Sequence, residues 1–90
     1  MKAAVRVLDS YSLIAYLEGE EVAHLISTLP IQIIPADLEL TKGAAEFKAS
    51  KKMSYADCFA AALAKLRRAE LVTGDEDFKQ VEGEVKILWI

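Results

Sequence analysis

Ninety residues, 53% hydrophobic and 28% charged, with only four Gly and two Pro, describe a single folded domain over 1–90 and exclude a disordered chain or a linked pair of domains. Apolar runs such as Phe59 to Ala64 fall far below the ~20 residues that cross a bilayer, and no signal-like apolar stretch precedes Asp9, so a soluble, cytoplasmic protein is expected. The net charge of −3 is unevenly spread, with −2 over 1–28, −1 over 29–50, +3 over 51–70 and −3 over 71–90, so any contact with nucleic acid has to come from a local patch.

Residues 3–8 are β-branched and apolar and stop at Asp9-Ser10, which predicts a buried strand and a turn. Leu13, Ile14 and Leu17, then Val22, Leu25 and Ile26, recur at helical spacing, with Gly19 placed to end one helix before a second begins. Residues 31–34, between Pro30 and Pro35, read as a short strand. A helix is predicted over 38–51, with Leu40, Ala44, Ala45 and Phe47 as its apolar positions.

Ser54-Tyr-Ala-Asp57 is a capping box and opens a helix to about residue 69, in which Phe59, Leu63 and Leu66 form a stripe and Ala60, Ala61, Ala62 and Ala64 suit close packing on a sheet. Residues 71–73 are a third strand, broken by Gly74-Asp75, and 85–90 a fourth. The order β-α-β-α-α-β-β predicts an α/β fold: a mostly parallel sheet flanked by helices. Lys48, Lys51, Lys52, Lys65, Arg67 and Arg68 fall late in two of the helices, where cations suit the helix dipole whatever the function.

In a parallel sheet the C-terminal strand ends and the N-terminal ends of the helices share one edge, where such folds bind ligands. Asp9 follows the first strand, Asp75 and Asp77 follow the third, and Asp57 opens the helix that feeds it. Each has an ordinary use: Asp9 as a helix cap, Asp57 as the N3 partner of Ser54, Asp75 and Asp77 as turn formers. Those uses do not explain why every aspartate except Asp37 falls on one edge. Converging carboxylates repel unless a cation neutralises them, and oxygen donors without His or Cys favour Mg²⁺ or Mn²⁺. The matching chemistry is metal-assisted hydrolysis at phosphorus.

Alternatives find little support. Cys58 and His24 are the only residues of their kinds, which excludes an internal disulfide and a Cys/His zinc module; Cys58 reads as a packing residue and His24 as a boundary one. Gly19, Gly43, Gly74 and Gly83 are isolated, so no phosphate-binding glycine loop is present.

Val7-Leu8-Asp9-Ser10-Tyr11-Ser12-Leu13-Ile14-Ala15-Tyr16-Leu17, Met53-Ser54-Tyr55-Ala56-Asp57-Cys58-Phe59-Ala60-Ala61-Ala62 and Leu71-Val72-Thr73-Gly74-Asp75-Glu76-Asp77-Phe78 together resemble the PIN-domain family, in particular the small VapC-type toxins. Leu29-Pro30-Ile31-Gln32-Ile33-Ile34-Pro35-Ala36-Asp37 looks like the same family's second half. The resemblance implies a Mg²⁺- or Mn²⁺-dependent endoribonuclease of the toxin-antitoxin type. Asp9, Asp57 and Asp75 then hold the metal and carry catalysis, Asp77 is an accessory ligand, and Thr73 positions water or phosphate. RNA is the implied substrate and an antitoxin protein a partner.

The chain departs from the family between its first helix and the Leu29-Pro30-Ile31 segment, where PIN domains carry further helices and a Glu that completes the acidic site. Glu18, Glu20 and Glu21 do not match that Glu by motif. The departure keeps a second reading open, a degenerate PIN-like binding or assembly module. It also predicts a homo-oligomer, because a short chain buries only about two thirds of its unfolded surface and a lost layer exposes apolar side chains.

Overall fold

The computed structural model of the protein describes residues 6–8 and 34–90. The helical stretches read around 13–17 and 22–26, strand residues 31–33, Asp9 and His24 lie outside the described residues. Among the described residues the sheet has three strands, β1 (Arg6–Leu8), β2 (Glu70–Thr73) and β3 (Ile87–Trp89), in the order β1-β2-β3. Both pairings are parallel, with Val7 opposite Leu71 and Leu71 opposite Ile87. Ile34, read as strand, has no regular structure and instead packs against the core. β3 is shorter than the predicted 85–90, because Val85 is buried in the preceding turn, its N–H donating to the Val81 carbonyl at 2.9 Å.

Helix α1 (Leu38–Ser50) starts at Asp37, whose Oδ1 accepts the Leu40 N–H at 2.8 Å, and carries Lys48 in its last turn. It buries Leu40, Ala44 and Phe47, one stripe at i, i+4 and i+7. Ala45, expected among the apolar positions, is exposed because it lies one residue, about 100°, round from that stripe.

Helix α2 (Tyr55–Arg67) starts as its capping sequence predicts, with the Ser54 hydroxyl accepting the Asp57 N–H at 3.2 Å. It ends at Arg68, whose left-handed backbone (φ 52°) lets its N–H reach the Ala64 and Lys65 carbonyls. α2 packs against α1 as well as against β1 and β2, so it is covered on more than one side. Its buried residues are accordingly the small ones, Cys58, Ala61, Ala62 and Ala64. The expected Phe59-Leu63-Leu66 stripe is displaced: Phe59 and Leu63 only border the core and Leu66 is exposed. Small side chains permit the short axis separation that packing on several sides demands. Gly43 on α1 contributes the same way, since a Cβ there would sit 3.3 Å from the Ala62 Cβ.

A 3-10 helix (Glu76–Val81), absent from the sequence reading, follows β2 and drops Phe78 and Val81 fully into the core. Phe78→Ala is expected to cost about 3–5 kcal/mol in urea unfolding, as for other large buried aromatics. Leu38→Ala, at a side chain that is 77% exposed, should stay within about 0.5 kcal/mol of wild type.

Candidate metal centre

The strands are parallel, so Leu8, Thr73 and Trp89 end at one edge of the sheet. α2 leads into β2 and therefore begins at that edge, which brings Asp57 in its first turn beside the turn that follows β2. There, Asp57, Asp75 and Asp77 each offer a carboxylate oxygen, and the three oxygens lie within 4.8 Å of one another. Asp57 and Asp75 are half-buried and Asp77 is exposed.

Backbone geometry explains how the turn holds its acids. The Asp75 N–H donates to the Thr73 Oγ1 at 3.1 Å, and Asp75 Oδ1 in turn accepts the Asp77 N–H at 2.9 Å as cap of the 3-10 helix. Turn formation and convergence are thus compatible: capping occupies one oxygen of Asp75 and leaves the other. Among the described residues, no Lys or Arg forms an ion pair with Asp75 or Asp77. Repulsion among the three is opposed locally by the N-terminal ends of α2 and the 3-10 helix.

The donor set fits a hard divalent cation. Three carboxylates with no His or Cys suit Mg²⁺ or Mn²⁺. Oxygens on opposite sides of Mg²⁺ at ~2.1 Å are about 4.2 Å apart, so a group spread over 4.8 Å needs only a small closure, or a retained water, to bind it. Asp9 lies outside the described residues, and its predicted place in the group is a matter for proposal. Asp37, set apart in the sequence reading, caps α1.

Residues 4–84 match the model of the PIN-domain family. The chain belongs to that family. Its fold is similar to the crystal structure of VapBC-5, a member of the VapBC family of toxin-antitoxin systems from Mycobacterium tuberculosis, with a TM-score of 0.60 at 21% identity over 90% of this chain and 73% of that one. No curated protein matches the chain in sequence. Among the described residues of this PIN domain, no helix is long and apolar enough to cross a membrane.

Two neighbours of the acids are fully buried. Thr73 has no exposed surface, and its hydroxyl accepts the Asp75 N–H, a loop-setting contact. Cys58, next to Asp57, is also inaccessible, as its reading as a packing residue anticipated. Burial pushes its thiol pKa up, against an opposing pull from Lys48 and with a smaller push from Asp57. A groove of about 420 Å³ lies elsewhere, between α1 and α2 around Gly43, Phe47, Ala62 and Leu66, and none of the three aspartates lines it.

Cys58 should therefore resist alkylation by iodoacetamide at neutral pH in the folded protein and react only once urea unfolds it. Fast labelling under native conditions would show that this face of α2 opens next to the acidic group.

Proposed function

We propose that this PIN domain is a Mg²⁺- or Mn²⁺-dependent endoribonuclease of the toxin-antitoxin type. The observation that carries the reading is the convergence of Asp57, Asp75 and Asp77 at the edge where the parallel strands end. Asp9 joins them in this reading, because it directly follows Leu8, and Leu8 pairs with Val72 one residue before Thr73. Asp9, Asp57 and Asp75 are the catalytic set, with Asp77 as an accessory ligand.

When bound, the cation neutralises the phosphodiester and lowers the pKa of an attacking water. The chain's own share is to hold the acids in place. Ser54 fixes the first turn of α2 and with it Asp57, while Thr73 fixes the Asp75 amide and Asp75 fixes that of Asp77. Asp57, Asp75 and Asp77 are thus seated through backbone contacts before a cation arrives, which reduces the reorganisation that binding requires.

An antitoxin-like protein and a second copy of the chain are the proposed protein partners. Leu88, Trp89 and Ile90 form a consecutive run of exposed apolar side chains for a partner to cover. Sedimentation at micromolar concentration should accordingly give a species larger than the 9.9 kDa chain.

A second reading, a binding module without turnover, has one observation in its favour: among the described residues, no Glu joins the three aspartates. Mn²⁺ titration separates the two. Wild type should bind Mn²⁺, and Asp9→Asn, Asp57→Asn and Asp75→Asn should each weaken binding by at least about tenfold, since the amide keeps the shape and removes the charge. Single-stranded RNA should be cut by wild type and left intact in EDTA or by Asp75→Asn. Metal binding without cleavage would favour the binding module, and cleavage unchanged in all three variants would indicate a contaminating nuclease.

A further inference from the structure

The segment joining α1 to α2 is tied to the turn that carries Asp77, and with the first residue of α2 it is basic and aromatic where that turn is acidic. Gln80, on the 3-10 helix, ties the two together. Its Oε1 accepts the Lys52 N–H at 2.9 Å, and its Nε2 donates to the Lys52 carbonyl at 3.1 Å and to the Asp77 carbonyl at 3.0 Å. The carbonyls of Lys52 and Asp77 are therefore joined through one amide group.

Two side chains, one on this segment and one in the first turn of α2, are exposed. Among the described residues, Lys52 is exposed and has no ion pair, whereas Lys51 and Lys65 are matched to Glu84, and Lys79 to Glu76. Tyr55 is 66% exposed although it is a large aromatic in the first turn of α2, two residues before Asp57. Its ring is held, because the Lys48 ammonium sits 4.9 Å from the ring centroid and is itself fixed by donating to the Met53 carbonyl at 2.7 Å. A cation on one side of a ring leaves the other side for stacking.

An unpaired ammonium followed by a fixed, exposed ring is the pattern that reads single-stranded nucleic acid, the cation taking a phosphate and the ring a base. An acidic peptide would use the cation and leave the ring idle. We propose that Lys52 and Tyr55 receive the stretch of single-stranded RNA flanking the phosphate at the aspartates, with Lys52 on a backbone phosphate, Tyr55 beneath a base and Gln80 as the positioning residue that keeps this strip in register with Asp77. The proposal rests on the ribonuclease reading and adds residues to it that are neither ligands nor part of the acid motifs. Sequence-tolerant recognition follows, since every base has a face to stack.

The test is fluorescence anisotropy of a short labelled single-stranded RNA of mixed sequence, with Ca²⁺ as the neutralising cation and salt varied. Tyr55→Ala should weaken binding about tenfold, while Tyr55→Phe, which keeps the ring, should retain it. Lys52→Ala should lower the slope of log affinity against log salt by about 0.7, the share of one phosphate on a single strand, and Lys52→Arg should restore it. The Lys52 side chain makes none of the bonds to Gln80, which run through its main chain, so the substitution leaves the clamp intact. Arg67→Ala, at the far end of α2, should match wild type in both readouts. If wild type binds RNA and the Lys52→Ala and Tyr55→Ala variants bind with unchanged affinity and slope, the strip is not the RNA path and the proposal is overturned, with the ribonuclease reading intact. If wild type binds no RNA at all, both fall together.

Discussion

The packing of α2 on several sides is the constraint from which the rest of the described structure follows. A helix pressed against a parallel sheet as well as a second helix has little room for large side chains, and the run from Cys58 to Ala64 is small where it is most deeply buried. Phe78, Val81 and Leu71 supply the bulk that such a helix lacks. The core is thus a thin helix wedged among larger neighbours, and its tolerance for added volume is correspondingly low. Because α2 cannot slide without opening that packing, its first turn is held at the sheet edge, and the position of Asp57 follows from alanines well away from it.

Local and functional demands on the aspartates coincide rather than compete. A carboxylate has two oxygens and about four acceptor positions, so a cap or turn bond consumes only part of its capacity. Asp75 shows the economy most clearly: it caps the 3-10 helix through Oδ1 while belonging to the three-acid group. The ordinary explanations for each acid are therefore also the means by which the group is built, and finding a cap does not argue against a ligand.

The elements that were legible in the sequence are those with local causes. Ser54 and the αα-connection, the parallel strands around Leu71 and Ile87, and the cations in the last turns of α1 and α2 all answer to short-range rules of capping, β-propensity and dipole. The convergence of Asp57, Asp75 and Asp77 was legible for a topological reason, since strand ends and helix starts share an edge in any parallel sheet. What escaped was set by tertiary context. Periodicity placed Phe59, Leu63 and Leu66 on the core face, but a helix packed on several sides buries its small residues first. The 3-10 helix was hidden because Glu76 to Val81 is too short for a periodic signal and its cause is the cap at Asp75. Gln80 left no trace in the pattern of the sequence: a polar residue in an acidic, exposed stretch acquires meaning only when Lys52, 28 positions earlier, arrives opposite it.

The distribution of charge suits the proposed ribonuclease reading although the chain carries a net charge of −3. Acids gather at the N-terminal ends of α2 and the 3-10 helix, and basic side chains follow in the last turns of α1 and α2, each at the helix end that favours it. That arrangement would keep the two signs far apart if both helices pointed the same way. The α1-to-α2 connection prevents this, because the basic end of α1 leads within a few residues into the acidic start of α2. Lys48 and Lys52 are thereby brought to the start of α2 by chain connectivity, Lys48 over the Tyr55 ring and Lys52 with its main chain joined through Gln80 to the Asp77 turn. Charge of one sign suited to hold a cation and charge of the other suited to hold a phosphate backbone then lie at one end of α2, as the proposed cleavage of a polyanion at a metal centre would require.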